Sequence, residues 1–308
     1  MTAGTSWLVT GAGGMLGRDV RAELLATPGA AVTGRTRGEL DVTDRRAVRA
    51  AVAAHRVVVN CAAWTDVDGA EAHEAAATAV NGTGVRNLAR VCAETGAVLL
   101  HVSTDYVLAG DDRRPYAEDA PTGPLNAYGR GKLLGERAVA ELLPCTGYTV
   151  RTAWLYGTHG PNFVATVLGL ARDRATVDVV ADQYGQPTRS AELARQLVAL
   201  GLAALTGRAP AGVYHGTAAG CTTWYGLARE AYRLSGLDPE RVRPVDSAAF
   251  PRPAARPAYG VLGHEGWTRA GVARQPGWRD QLAAALATPR FTASAAAARA
   301  AAPAPVAG

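Results

Sequence analysis

The sequence predicts an α/β protein: a doubly wound parallel sheet followed by a smaller α/β part. Three observations lead there. Short apolar runs alternate with amphipathic stretches through the first half of the chain, the signature of βαβ units whose helices cover both faces of a sheet. A glycine-rich segment joins the first apolar run to the first helix. After about residue 153 the rhythm loosens, and helical patterns are separated by short strands and Pro/Gly-rich loops.

Taken in order, the apolar runs place strands at 7–10, 31–34, 57–61, 98–103 and 149–152. Between them, apolar residues at three- and four-residue spacing predict helices over 45–55, 80–94 and 128–143. Residues 1–153 therefore read as one nucleotide-binding domain. Helical patterns at 163–174, 191–205, 223–234 and 278–286 belong to a second part, 154–287, assigned mainly to substrate binding. Whether that part interweaves with the first is left open. Residues 288–308 are Ala/Pro-rich and are expected to be a disordered tail.

Bulk composition narrows the classes. Of 308 residues 48% are apolar, enough for a full core. No window reaches the ~18 uninterrupted apolar residues of a membrane span. The first six residues do not resemble a signal peptide, so a cytoplasmic protein is expected. Cys61, Cys92, Cys145 and Cys221 show no CxxC spacing, which argues for reduced thiols and assigns no metal site. The net charge is +5, but the arginines are scattered and no basic stripe interleaves with aromatics, which excludes nucleic acid as the partner. The excess charge suits an anionic small ligand.

The strand at 7–10 runs into Gly11-Ala12-Gly13-Gly14-Met15-Leu16-Gly17. Gly11 permits a tight turn, Gly14 lets the backbone approach a pyrophosphate, and Gly17 lets helix and strand pack closely. The helix N-terminus then faces the anion. This is a Rossmann-type dinucleotide turn. The second strand ends at Gly34-Arg35-Thr36-Arg37. Two arginines there, rather than an acid, suit a 2′-phosphate and point to NADPH, with NADH left open. Asp41, beside Val42, can reach the adenine edge or serve as a helix cap, a role that Thr43 fills better.

The fourth strand ends in Ser103-Thr104-Asp105-Tyr106-Val107, and Tyr128-Gly129-Arg130-Gly131-Lys132 follows. Four residues apart on a helix, Tyr128 and Lys132 share a face. Hydride delivery to a ketone needs a proton donor at the forming alkoxide. A phenol titrates near 10, and a neighbouring ammonium favours its phenolate. Thr104 offers a hydroxyl to align the carbonyl. Lys132 is the only lysine in the chain, in a composition that otherwise uses arginine. Arginine has neither the compact ammonium nor its proton chemistry.

With these residues in view, the chain resembles the extended short-chain dehydrogenase/reductases, and within them the dTDP-4-dehydrorhamnose reductase family. The likeness covers about residues 5–287. It rests on Gly11 to Gly17, Val59-Asn60-Cys61-Ala62-Ala63-Trp64-Thr65-Asp66-Val67-Asp68, Ser103-Thr104-Asp105-Tyr106-Val107, and Pro124-Leu125-Asn126-Ala127-Tyr128 with Lys132. Further matches are Arg151-Thr152-Ala153-Trp154, Asn162-Phe163, Asp182-Gln183-Tyr184-Gly185-Gln186-Pro187-Thr188, Thr222-Thr223-Trp224-Tyr225 and Ala255-Arg256-Pro257. The resemblance implies Thr104, Tyr128 and Lys132 as the catalytic set. For the cofactor it implies Gly11, Gly13, Gly14, Met15, Leu16, Gly17, Arg35, Arg37, Asp41, Val42, Cys61, Ala62, Ala63 and Thr65, joined by Tyr128 and Lys132. It implies Thr104, Asp105, Tyr106, Trp154, Asn162, Phe163, Gln183 and Arg256 for a dTDP-4-keto-deoxysugar. Trp154 and Phe163 have a plain alternative as core, and Asn162 as a helix cap.

Some relatives bind Mg2+ through glutamates at a dimer contact. Asp19 and Glu192 fall near two of those positions and the third has no counterpart, so Mg2+ is left undecided and a homodimer open. Dehydratases resembling this chain carry Thr-Asp-Glu, whereas Thr104-Asp105 is followed here by Tyr106. The missing carboxylate argues for simple reduction. An epimerase or dehydratase of this fold remains the enzymatic alternative. A non-catalytic regulatory subunit resembling that of methionine adenosyltransferase is the other. The same chemistry could serve an antibiotic sugar, such as dihydrostreptose for streptomycin.

Overall fold

The computed structural model describes residues 4–301. The first half alternates as predicted: β1 (Thr5–Thr10), α1 (Met15–Ala26), β2 (Ala30–Arg35), α2 (Arg45–Val52), β3 (Val57–Asn60), α3 (Val67–Ala72), α4 (Glu74–Thr78), a π-helical turn (Ala79–Gly84), α5 (Val85–Thr95), β4 (Val98–Thr104), α6 (Ala127–Leu142) and β5 (Gly147–Thr152). The second half holds β6 (Leu155–Tyr156), α7 (Phe163–Asp173), β7 (Val177–Val180), β8 (Tyr184–Gly185), β9 (Thr188–Arg189), α8 (Ser190–Leu205), β10 (Gly212–His215), β11 (Thr222–Thr223), α9 (Trp224–Leu234), β12 (Val242–Val245), α10 (Glu265–Ala270), α11 (Trp278–Leu286) and α12 (Pro289–Ala301).

The main sheet is parallel and six-stranded, in the order β10-β5-β4-β3-β1-β2. Its strands are apolar on both faces because helices cover both. Alternation along β1 shows the division. Trp7 and Val9 pack into a core with Leu16 and Val20 of α1 and Leu193 and Leu197 of α8. Leu8 faces the opposite core, with Val48 of α2 and Leu88 of α5. The order reverses at β1 and β3, so a crevice opens beyond their carboxyl ends. A third core joins α7, α9, α11 and α12 around Leu168, Tyr232 and Leu282.

Two expectations are corrected, and a point left open is answered. The sheet's sixth strand, β10, comes from the second half of the chain, and α8 packs on α1, so the chain does not divide cleanly at residue 153. The expected disordered tail is a helix over Pro289–Ala301. Phe291 and Ala298 join the third core, while Arg290 donates to the Thr158 and Gly160 carbonyls at 2.7 and 2.9 Å. Residues 302–308 lie outside the described residues. The cap of α2 is Asp44, whose carboxylate accepts from the Arg46 and Ala47 N–H groups. Thr43 instead donates to Asp41 at 2.8 Å. No helix among the described residues is long and apolar enough to cross a membrane.

Candidate active site

The glycine turn forms as its residues dictate. Gly11 has φ 64°, and a Cβ there would lie 2.6 Å from the Ala62 N atom. A Cβ on Gly17 would lie 2.3 Å from the Gly11 carbonyl oxygen. Helix and turn therefore approach closely only because both positions lack side chains. α1 begins at Met15 after Gly14, and no side chain caps it, which leaves its first N–H groups facing the crevice. Gly13 and Gly14 are exposed and Met15 is half-buried. The Leu16 side chain lies in the core, so only its backbone is available to a ligand.

Arg35, the last residue of β2, and Arg37 just beyond it stand exposed, with the Glu39 carboxylate, held by Thr36, close to Arg35. Asp41 is exposed, and its bonds to the Thr43 N–H and hydroxyl hold its carboxyl below the usual range. The Val42 side chain is core. Cys61, Ala62 and Ala63 follow β3 into the crevice half-buried, and Thr65 is exposed. Burial pushes the Cys61 thiol up to about 12. Asn81, in the π-helical turn, fixes this segment: it accepts from the Trp64 N–H at 2.9 Å and donates to the Trp64 carbonyl at 3.0 Å. Sequence reading missed Asn81, although an Asn-Gly-Thr-Gly run inside a helical pattern was a signal for irregular backbone.

Thr104, Tyr128 and Lys132 come together at the carboxyl end of β4. Asn126 caps α6 by accepting from the Gly129 N–H, while Glu71 accepts from the Ala127 N–H at 2.8 Å. Those two bonds set the first turn that carries Tyr128. Burial raises the Tyr128 phenol above its ordinary value; the Asp105 carboxylate adds to this and the neighbouring Thr104 hydroxyl opposes it. Lys132 is 3% exposed and donates to the Val102 carbonyl at 2.7 Å. Burial brings its ammonium down to about 8, against the opposing pull of Glu136 one turn away. Tyr106 packs edge-on against Tyr128, ring centroids 5.9 Å apart.

Beside this cluster opens a cavity of about 620 Å³, lined among others by Tyr106, Phe163, Gln183, Trp224, Phe250 and Arg256. Its size suits a ligand as large as a sugar nucleotide. Four expected substrate residues do not line it. Trp154, at φ 47°, stacks behind Trp224 with centroids 3.6 Å apart and planes at 10°. Asn162 caps α7, accepting from the Ala165 N–H. Thr104 and Asp105 are buried at the end of β4. Trp224, not Trp154, lines the cavity, and no periodicity in the sequence announces the stack between them. Arg256 is held by Asp68 of α3 through both terminal guanidinium nitrogens, at 2.5 and 3.0 Å.

The two carboxylates near a family metal position are engaged elsewhere. Asp19 accepts from Ser190 at 2.5 Å, and Glu192 pairs with Arg189 and Arg195. Among the described residues no three candidate ligands cluster.

Residues 5–291 match the model of the family described as the RmlD substrate binding domain. The chain belongs to that family. It is 60% identical over 278 residues to a dTDP-4-dehydrorhamnose reductase of Streptomyces griseus, covering 90% of this chain and 91% of that one. It is 53% identical over 282 residues to a dTDP-4-keto-6-deoxy-D-glucose reductase of Streptomyces niveus, covering 91% and 96%. The dTDP-4-dehydrorhamnose reductase of Bacillus anthracis, solved with NADP, superposes with a TM-score of 0.86 at 34% identity, covering 92% of this chain and 99% of that one. Membership in the RmlD family accounts for the Rossmann-type sheet and for the cavity built beside it by the second half of the chain.

Proposed function

We propose that the chain is an NADPH-dependent reductase of the C4 keto group of dTDP-4-dehydro-β-L-rhamnose, yielding dTDP-L-rhamnose. One observation carries the reading: at the carboxyl end of β4 the Tyr128 phenol lies beside the Thr104 hydroxyl and Lys132 reaches the Val102 carbonyl, and Tyr106, packed on Tyr128, opens into an aromatic- and arginine-lined cavity. The dinucleotide, when bound, supplies the hydride. The glycine cradle and the open N-terminus of α1 suit its pyrophosphate. Arg35 and Arg37 suit a 2′-phosphate, a preference supported by the NADP-bound relative. Cys61, Ala62, Ala63 and Thr65, which follow β3 into the crevice, would border its ribose and nicotinamide side.

Tyr128 gives its proton to the C4 oxygen. Lys132 stabilises the phenolate that remains and offers N–H groups to the ribose hydroxyls. Thr104 donates to the carbonyl and aligns it. Phe163 and Trp224 offer aromatic faces to the base and deoxysugar, Gln183 offers an amide, and Arg256 a charge for the diphosphate. The relative named for dTDP-4-keto-6-deoxy-D-glucose favours a second reading, in which a related dTDP-4-keto-6-deoxyhexose of antibiotic biosynthesis is the substrate.

Tyr128→Phe tests the chemistry. Loss of the general acid should cost at least ~100-fold in kcat while the Kd for NADPH stays within about twofold. Near-normal turnover overturns the assignment. NMR of the C4 configuration formed from each of the two keto sugars decides between the substrates.

A further inference from the structure

Asp105 is a buried ionisable group, beside the catalytic threonine, that this mechanism leaves unused. It is 3% exposed, and among the described residues its Oδ2 has no hydrogen-bond partner. That oxygen is pressed against Gly260, where even a Cβ would come within 2.6 Å of it. Its Oδ1 lies 3.0 Å from the Thr104 hydroxyl. Thr104 also accepts from the Tyr106 N–H at 3.2 Å.

A hydroxyl has one hydrogen and two lone pairs. The Tyr106 N–H takes one lone pair. If Asp105 is ionised, the single Thr104 hydrogen goes to its carboxylate and none is left for a substrate carbonyl. If Asp105 carries a proton, it donates to the second lone pair, and the Thr104 hydrogen is free to turn outward. An ionised Asp105 would in addition leave a buried oxygen charged and unpaired, which is costly.

We propose that Asp105 is held as the neutral acid and donates to Thr104 Oγ1, so that the Thr104 hydrogen points at the substrate carbonyl. This rests on the reading of Thr104 given above. Asp105 is thus a positioning residue acting through Thr104. Its surroundings agree. The titratable groups facing it are Tyr106 on its own segment and Tyr128 on α6, both neutral. Arg256, on the loop before Gly260, stands nearer Tyr106 and is paired with Asp68. Lys132 is turned to the Val102 carbonyl. Burial pushes the Asp105 carboxyl up to about 7, outweighing the Thr104 hydroxyl and the Asp105 and Tyr106 N–H groups, which pull it down.

The test is the pH profile of kcat/KM for dTDP-4-dehydro-β-L-rhamnose at saturating NADPH. The neutral acid is the active form, so the wild type should lose activity as pH rises through about 7, approaching tenfold per unit. Asp105→Asn donates to Thr104 at every pH. Its fall should begin about one unit later, where Lys132 loses its proton at about 8, and be half as steep once both groups titrate. A variant limb unchanged in position and slope overturns the proposal. Infrared spectra of the wild type need no variant. They should show a protonated-carboxyl stretch at pH 6 that is lost by pH 9, and its absence at pH 6 overturns the proposal equally. Thr104→Val tests the underlying reading separately: a fully active Thr104→Val enzyme defeats that reading, whatever the protonation of Asp105.

Discussion

Arg35 and Arg37 stand exposed at the end of β2, and among the described residues no carboxylate pairs with either guanidinium. Charged hydrogen bonds to a phosphate contribute about 1.5–3 kcal/mol each, and NADH has no phosphate at that position. Replacing both arginines with alanine should therefore raise KM for NADPH at least ~10-fold and leave KM for NADH nearly unchanged. Steady-state titration with each cofactor checks this, and equal effects on the two would remove the basis for the preference. Residues of this kind were legible in the sequence because their identity carries the geometry. Gly11 and Gly17 stand where a Cβ has no room, and Lys132 is a lone lysine in an arginine-rich chain. Leu16 and Val42 were read as cofactor residues from their neighbours in the motif, but their side chains face the cores on either side of β1. Motif position specifies a backbone path and says less about which side chain turns outward.

At the scale of elements, the segment carrying Arg256 is tied to α3 and α6 by side chains from motifs of the first half. Asp68 accepts from Arg256 and from the Ala254 N–H at 3.2 Å, and Asn126 donates to the Ala255 carbonyl at 2.8 Å. The Arg256 guanidinium holds the Asp68 carboxyl below its usual value. The pair is partly exposed, so its own contribution to stability is small; its effect is to fix where Arg256 stands in the cavity wall. Asp68→Asn should therefore raise KM for the sugar nucleotide about tenfold, the worth of one charge-assisted hydrogen bond, with kcat and KM for NADPH little changed. A drop in kcat with both KM values intact would place Asp68 elsewhere in the mechanism. Both partners sit in stretches quoted for the family resemblance, yet their pairing joins positions 188 residues apart and no periodicity announces it. The last helix was hidden differently. Its alanines and prolines read as a tail, although Phe291, Ala295 and Ala298 fall on one helical face and are buried.

Across the whole molecule, polar groups buried between the sheet and its helices make stability depend on pH. Arg151 of β5 and Glu136 of α6 form an ion pair about 5% exposed on each side, extended to the Glu118 carbonyl. His215 lies against Arg151, and burial first, then that charge, brings its imidazole down to about 3. Burial brings His264 down to about 4 and holds His101 well below its usual value, with Arg274 and Lys132 adding to the respective shifts. All three are therefore neutral in the folded protein at pH 5, while an unfolded chain would protonate them below about 6.5. Asp105 works in the opposite sense, since burial leaves it protonated in the fold at a pH where an unfolded aspartate is ionised. The unfolded state then binds more protons than the native state at pH 5, and stability falls as pH drops from about 6 to 4. Against a total of about 5–15 kcal/mol, acidification from pH 7 to 5 should lower the urea midpoint substantially, with the maximum of stability above pH 6.5. Equal unfolding free energies at pH 7 and 5 would mean that these histidines are solvated, and that the cores on the two faces of the sheet are looser than their packing indicates.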